Sequence, residues 1–173
     1  MENQIIAKTL LTMWPDLGAY EAMLKERTQA RAMDSFGSPY FTQRTMEQII
    51  DLNVKQHTIH TLRTGLNRLI AQLPTDVRGV LQAHYRGRDP QSLGWAPRSF
   101  YRKLKTGTDY VAGHLPTLGI NFFSWQYLLQ HHLWIKEIFT RQLARPNRGQ
   151  TPGRRTGLNH PTAHPRRQNT PAN

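Results

Sequence analysis

Side chains that donate hydrogen bonds are concentrated in one short stretch of this 173-residue chain. They are Arg98, Ser99, Arg102, Lys103 and Lys105. A guanidinium group can bond a guanine edge or a phosphate through two parallel N–H groups, while serine and lysine donate to phosphate oxygens. Arg86 and Arg88 add the same charge shortly before this stretch. These residue types at this spacing predict a surface that binds a polyanion.

Positive charge is distributed unevenly along the sequence. The chain holds 23 lysines and arginines against 11 acids, a net charge of +12. Residues 78–105 hold seven bases and one acid, and residues 141–173 hold seven arginines and no acid. Such segments favour a nucleic acid as partner, because binding to phosphates releases condensed counterions. A surface charged for solubility and a ribosome-associated protein are the alternatives.

Several other kinds of chemistry have no support in the sequence. Without cysteine, the chain can form no disulfide, thiol nucleophile or cysteine-based zinc site. His57 and His60 have i, i+3 spacing, but no third ligand accompanies them, and metal sites normally need three or four. No phosphate-binding loop, Ser-His-Asp set or pair of carboxylates stands out. We therefore expect neither a cofactor nor an enzymatic activity.

The sequence predicts a cytoplasmic protein without a membrane partner. Its N-terminus lacks the basic start, the apolar run and the cleavage site of a signal peptide. No stretch approaches the roughly 18 consecutive apolar residues that a membrane-spanning helix needs.

The elements that must position the basic residues are helices. Apolar periodicity predicts helices over residues 2–13, 17–33, 45–73, 75–85, 97–112 and 124–143. The apolar stripe of 45–73 changes phase near residues 53–58, which leaves open whether this segment is one helix or two. The sequence thus predicts an all-α fold, a small helical bundle that contains a helix-turn-helix-like unit.

The chain divides into four parts by composition. We predict an N-terminal helical segment at 1–33, a linker at 34–44 and a helical DNA-binding domain at 45–143. A basic tail, 145–173, is rich in proline, glycine, asparagine and threonine and has almost no large apolar residue, which predicts disorder. The helix over 124–143 is apolar over a wide arc, and so is either a core helix or a surface for oligomerisation or polymerase docking.

The helix-turn-helix-like unit is predicted at residues 74–112. Its central sequence, LPTDVRGVLQAHYRGRDPQSLGWAPRSFYRKLK, reads as a helix, a polar turn and a second helix that begins at Pro97. In a helix-turn-helix, the second helix lies in the major groove and packs on the scaffold through its inner face. Phe100 and Leu104 suit that inner face, and the basic residues lie largely off it. An ordinary surface helix with solvated charges is the alternative.

This unit resembles the C-terminal unit of the phage RinA/ArpU family of late transcriptional regulators, itself similar to sigma-factor region 4. The family's "L-P…R…L…Y" helix matches LPTDVRGVLQAHY, and its "L-G-I-S-x-R-T-x-Y-R" recognition helix matches LGWAPRSFYRKL. The resemblance assigns Arg98, Ser99, Tyr101 and Arg102 to the recognition helix. It extends more weakly to MWPDLGAYEAMLKER near the N-terminus.

Charge, pattern and resemblance together predict a sequence-specific transcriptional regulator that binds double-stranded DNA, of the phage late-gene activator type. The resemblance implies RNA polymerase as a further partner, and such regulators often act as homodimers. Two alternatives remain open. One is a phage packaging component of the small-terminase type, and the other is a structural protein that binds nucleic acid without sequence preference.

Overall fold

Seven α-helices make up most of the computed structural model, which describes residues 2–36, 43–87 and 94–144. They are α1 (Glu2–Met13), α2 (Leu17–Phe36), α3 (Gln43–Ala71), α4 (Thr75–Tyr85), α5 (Pro97–Gly113), α6 (Phe122–His131) and α7 (Leu133–Ala144). Short 3₁₀ helices at Trp14–Asp16 and Leu115–Leu118 join α1 to α2 and α5 to α6. No strand occurs in these three ranges, so the all-α prediction is confirmed.

Helix α1 lies at the centre of the packing. It contacts α5 on one side and α7 on another, while α2 packs along α3. The completely buried side chains include Leu10, Leu66, Leu81, Trp125 and Ile135, which come from five different helices. Burial of large apolar side chains contributes about 1.5–3 kcal/mol each to stability. This shared core holds the helices in fixed positions relative to one another.

The structure resolves one point that the periodicity left open and corrects one predicted helix. Residues 45–73 contain one long helix, α3, that runs through the change of phase. The single helix predicted over 124–143 is wrong, because the chain leaves helical geometry at His132 and begins again as α7. Trp125, Leu128 and Ile135 on either side of this break are buried, which confirms the interpretation of the region as core.

The predicted linker is shorter than expected. Helix α2 continues to Phe36 and α3 begins at Gln43, so only residues 37–42 of the predicted 34–44 linker lie outside the described residues. The predicted tail, 145–173, also lies outside them. No helix in the described ranges combines the length and the apolar character that crossing a membrane requires.

Helices α2 and α3 form an antiparallel hairpin held by polar contacts across the pair. The Trp14 indole N–H, just before α2, donates to Asn67 Oδ1 at 2.7 Å. The Glu21 carboxylate pairs with His60 Nδ1 at 2.9 Å and with Arg63 Nε at 3.1 Å. The earlier residue, Trp14, contacts the later part of α3, and Glu21 contacts an earlier part. The two helices therefore run in opposite directions, and the start of α3 lies beside the end of α2.

Helix α6 begins with a complete capping box formed by Asn121 and Ser124. Asn121 is the N-cap, and its side chain accepts from the Ser124 backbone N–H at 2.9 Å. The Ser124 hydroxyl in turn accepts from the Asn121 backbone N–H at 2.8 Å. Gly119 precedes this box with a φ of +70°, a conformation that glycine adopts without steric cost.

Candidate nucleic-acid interface

The inner face of α5 is fixed against α4 by a small apolar cluster. Phe100 is completely buried and packs with Val80 and Ala83 of α4, and Trp95 and Leu104 cover its edge. On each helix these residues are three or four positions apart, so they lie on one side of the helix. That side of α4 faces the corresponding side of α5. The predicted inner positions Phe100 and Leu104 are confirmed as packing residues.

A close approach between the two helices depends on Gly107. A Cβ atom built at this position would lie 2.8 Å from Leu81 Cδ1, closer than nonbonded carbon atoms can approach. The absence of a side chain at Gly107 therefore lets α4 pack directly on the α5 backbone.

Helix α1 holds α5 from another side. Val111 and Ala112 are buried there, and Gln4 Nε2 donates to Asp109 Oδ1 at 2.8 Å. With α4 and α1 both packed against it, α5 has one free face along its length.

Three of the predicted ligand-binding side chains lie on this free face. Arg98, Tyr101 and Arg102 are all exposed, Tyr101 by 58%. Arg98 and Arg102 are one helical turn apart and have no ion-pair partner among the described residues. Ser99 lies toward one edge and is half-buried. The two guanidinium groups are therefore available to an external anion.

Lys103 differs from these arginines because its charge has an internal partner. Its Nζ pairs with the Asp76 carboxylate at the start of α4 and lies 4.3 Å from the centroid of the Trp95 ring. The hydrogen bond from Lys103, together with the Val77 backbone N–H, holds the pKa of Asp76 below its usual range. Lys103 thus links three segments around the start of α5, although the sequence predicted a ligand-binding donor there.

Lys105 is exposed but also has an acidic neighbour. Its side chain is 76% exposed, and its Nζ lies 2.5 Å from Asp109 Oδ2 one turn further along α5. An exposed pair of this kind is weak and screened by salt, so Lys105 remains accessible to a competing anion.

The remaining predicted residues, Arg86 and Arg88, belong to the connection between α4 and α5. Arg86 is exposed at the C-cap of α4, and Arg88 lies outside the described residues. Because α4 ends at Tyr85 and α5 begins at Pro97, this connection is longer than the three or four residues of a typical helix-turn-helix.

Comparisons with known protein families, curated proteins and solved structures found no match.

The free face of α5 can bind an anion through several donors at once. The properties of the face follow from its own residues: positions 97–108 include four bases and no acid. The N-terminal end of a helix also carries a partial positive charge, which adds to the attraction. This arrangement suits phosphates and base edges.

Other candidate chemistry does not converge on a site. His60 is bound to Glu21, and His57 lies beside it in a polar groove between α2 and α3. No group of three His, Asp or Glu side chains within residues 2–36, 43–87 and 94–144 is arranged to hold a metal ion.

Two residues that support the basic face were missed by reasoning from the sequence. Trp95 and Asp76 hold the Lys103 side chain, but Asp76 is 27 residues away from it. No spacing rule connects residues so far apart. The approach of α4 to α5, permitted by Gly107, brings them together.

Proposed function

We propose that this protein is a sequence-specific, DNA-binding transcriptional regulator that inserts α5 into the major groove, and that it has no enzymatic activity. The observation that carries the proposal is the pair of exposed guanidinium groups of Arg98 and Arg102, which have no ion-pair partner within residues 2–36, 43–87 and 94–144, on a helix packed against α4 and α1. A rigid support is what converts donors on a surface into selective contacts with base edges.

The arrangement of the other residues supports the same proposal. Ser99, Tyr101 and Lys105 flank the two arginines and are suited to phosphate contacts, which position a protein on DNA without reading its sequence. Arg86, exposed at the C-terminal end of α4, is a further base on the helix that packs against α5. The resemblance of residues 73–105 to phage late regulators favours late-gene activation, with RNA polymerase and a second copy of the chain as protein partners in the cytoplasm.

The first test is recovery of genomic DNA fragments by the purified full-length protein at physiological salt, with and without excess non-specific competitor. We expect a small set of fragments near promoters to remain enriched in competitor. Uniform recovery that disappears with competitor would overturn sequence-specific binding and favour a structural protein. A large ring in light scattering would instead favour a packaging component.

Arg98→Ala and Arg102→Ala are expected to reduce the preference for the enriched site without unfolding the protein. Each bidentate contact to guanine contributes about 1–3 kcal/mol of discrimination, equivalent to about 5–150-fold in affinity ratio. Arg31→Ala, which removes an exposed arginine from α2, is the matched control and should change the ratio little. Fluorescence anisotropy with specific and scrambled duplexes measures the affinity ratio. Full preference in both α5 variants would show that this helix does not read the bases.

Lys103→Gln and Arg102→Gln are expected to change the salt dependence of DNA binding by different amounts. A side chain that neutralises a phosphate contributes about 0.9 to the slope of log K against log salt, so Arg102→Gln should lower that slope by about 1. Lys103 is already neutralised by Asp76, and its loss should weaken binding with the slope unchanged. A slope reduced equally by both substitutions would show that DNA displaces Asp76 from Lys103.

A further inference from the structure

The outer half of the α2–α3 hairpin contains no buried side chain. This half, residues 25–35 of α2 and 43–58 of α3, is called the arm. The inner half of the hairpin is different, since Leu24, Ile59 and Leu62 are buried there. The arm thus consists of two helices that leave the core together, with partial cover from the core at Leu52.

An apolar ridge runs along α3 within the arm. Met46, Ile50 and Val54 recur at i, i+4 and i+8 and are 48%, 55% and 46% exposed. At 3.6 residues per turn, Ile50 lies about 160° around the helix from Leu52, which is half-buried against the core. The ridge is therefore on the side of α3 opposite the one that packs against the described core.

Helix α2 does not cover this ridge. Residues 25–33 of α2, KERTQARAM, contain one large apolar side chain, Met33, and it is 75% exposed. Three apolar side chains in a row on a solvent-facing helix indicate an interaction surface rather than scattered exposure.

We propose that this ridge binds the same ridge of a second copy of the chain. The arm holds five bases and four acids, so it is almost neutral in a chain whose net charge is +12. Two copies repel each other through the basic segments 78–105 and 141–173, but they can approach through the arm. The acid beside the ridge, Asp51, is already paired with Lys55 at 2.6 Å within its own chain. A nucleic acid gains nothing from a surface of this charge.

The geometry of the ridge suits a symmetric pair. In a two-fold contact between antiparallel helices, Ile50 meets Ile50 of the second copy, and Met46 meets Val54. Ridges formed by residues four apart interdigitate when the helices cross at about −50°. A stable interface buries about 800 Å² on each partner, and a contact along the ridge, which spans about 12 Å of one helix, supplies less. The expected dimer is accordingly weak and forms in the micromolar range.

Sedimentation velocity of the full-length protein, from low to high micromolar concentration and without DNA, tests the proposal. We expect a monomer–dimer equilibrium whose dissociation constant rises at least about tenfold in Ile50→Glu. Met33→Glu is the matched control, because it places the same charge on an exposed apolar position of the arm outside the ridge. Met46→Glu serves as a second ridge variant, and circular dichroism verifies that helix content is retained.

A monomer at all concentrations, a ring of many copies, or equal effects of Ile50→Glu and Met33→Glu would each overturn the proposal. Because no DNA is present, this outcome is independent of the proposed DNA binding. If both hold, the dimer carries two α5 helices, and a two-fold pair of helices reads two related half-sites. The enriched genomic fragments would then contain an inverted repeat.

Discussion

Replacing Phe100 with alanine is expected to destabilise the protein by about 3–5 kcal/mol. The ring is completely buried between α4 and α5, where it packs with Val80 and Ala83. Its removal leaves a cavity that the neighbouring helices cannot close, since Gly107 already brings α5 against Leu81. For a chain of this length, the loss lowers the melting temperature by roughly 6–20 °C.

The adjacent aromatic residue supplies the matched control. Tyr101 touches the Phe100 ring edge-on, with centroids 5.6 Å apart, but is 58% exposed on the free face of α5. Tyr101→Ala should change the free energy of unfolding by only about 0.5 kcal/mol, as surface substitutions usually do. It should nevertheless weaken DNA binding if Tyr101 contacts phosphate.

Urea unfolding followed by circular dichroism, combined with anisotropy on the specific duplex, measures both effects. The expected pattern is a crossover, in which Phe100→Ala loses stability and Tyr101→Ala loses affinity alone. A stability loss below about 1 kcal/mol in Phe100→Ala would contradict the described packing of α5 on α4.

The long helix α3 shows that an apolar pattern predicts the presence of a helix better than it predicts which face of that helix is buried. The change of phase near residues 53–58 is real, but it does not mark a break in the helix. Before it, the ridge around Ile50 faces solvent, and after it, Ile59 and Leu66 face the core. A sequence pattern records which positions are apolar and does not reveal which face has a partner.

The break between α6 and α7 lies at a long-range contact that the local sequence pattern does not reveal. No proline or glycine occurs between residues 122 and 144, so the pattern favours one continuous helix. The chain departs from helical geometry at a single residue, His132, which contacts Tyr20 at a separation of 112 residues. The end of α6 thus coincides with a contact to α2 that helical periodicity does not predict.

Within the candidate interface, the sequence predicted which helix is basic and which of its faces packs. Phe100 and Leu104 occupy the inner face, and Arg98 and Arg102 are exposed as the spacing indicated. It could not predict that the charge of Lys103 is neutralised, because that depends on how α4 lies against α5. Helical periodicity separates inner from outer positions, but ion pairs between helices follow from the fold.

His132 is a polar side chain placed in the core without full hydrogen bonding. Its ring is 0% exposed, its Nδ1 shares a hydrogen bond of 3.2 Å with the Tyr20 hydroxyl, and its Nε2 meets no partner among the described residues. Burial lowers the pKa of His132 to about 4, and the positive charges of Lys55 and His131 act in the same direction. The negative charge of Asp51 opposes them.

This lowered pKa is expected to make the fold sensitive to mild acid. Below a pH of about 6.5 the unfolded chain takes up a proton at His132, whereas the folded protein does not until about pH 4. Stability is therefore fully present at neutral pH and falls as the pH drops through this window. Between pH 6.5 and 4.5 the loss from this one residue amounts to about 2 kcal/mol, and it approaches about 3 kcal/mol below pH 4.

Comparison of His132→Gln with His131→Gln isolates the effect. His131 is adjacent in sequence but exposed, with its ring stacked on Tyr127 at 4.2 Å. Free energies of unfolding in urea at several pH values should decline toward acid in the native chain and in His131→Gln, and markedly less in His132→Gln. The absolute stability of His132→Gln can differ, because only the slope reports proton uptake. An unchanged slope in His132→Gln would show that the acid sensitivity arises from the carboxylates and that His132 is protonated equally in both states.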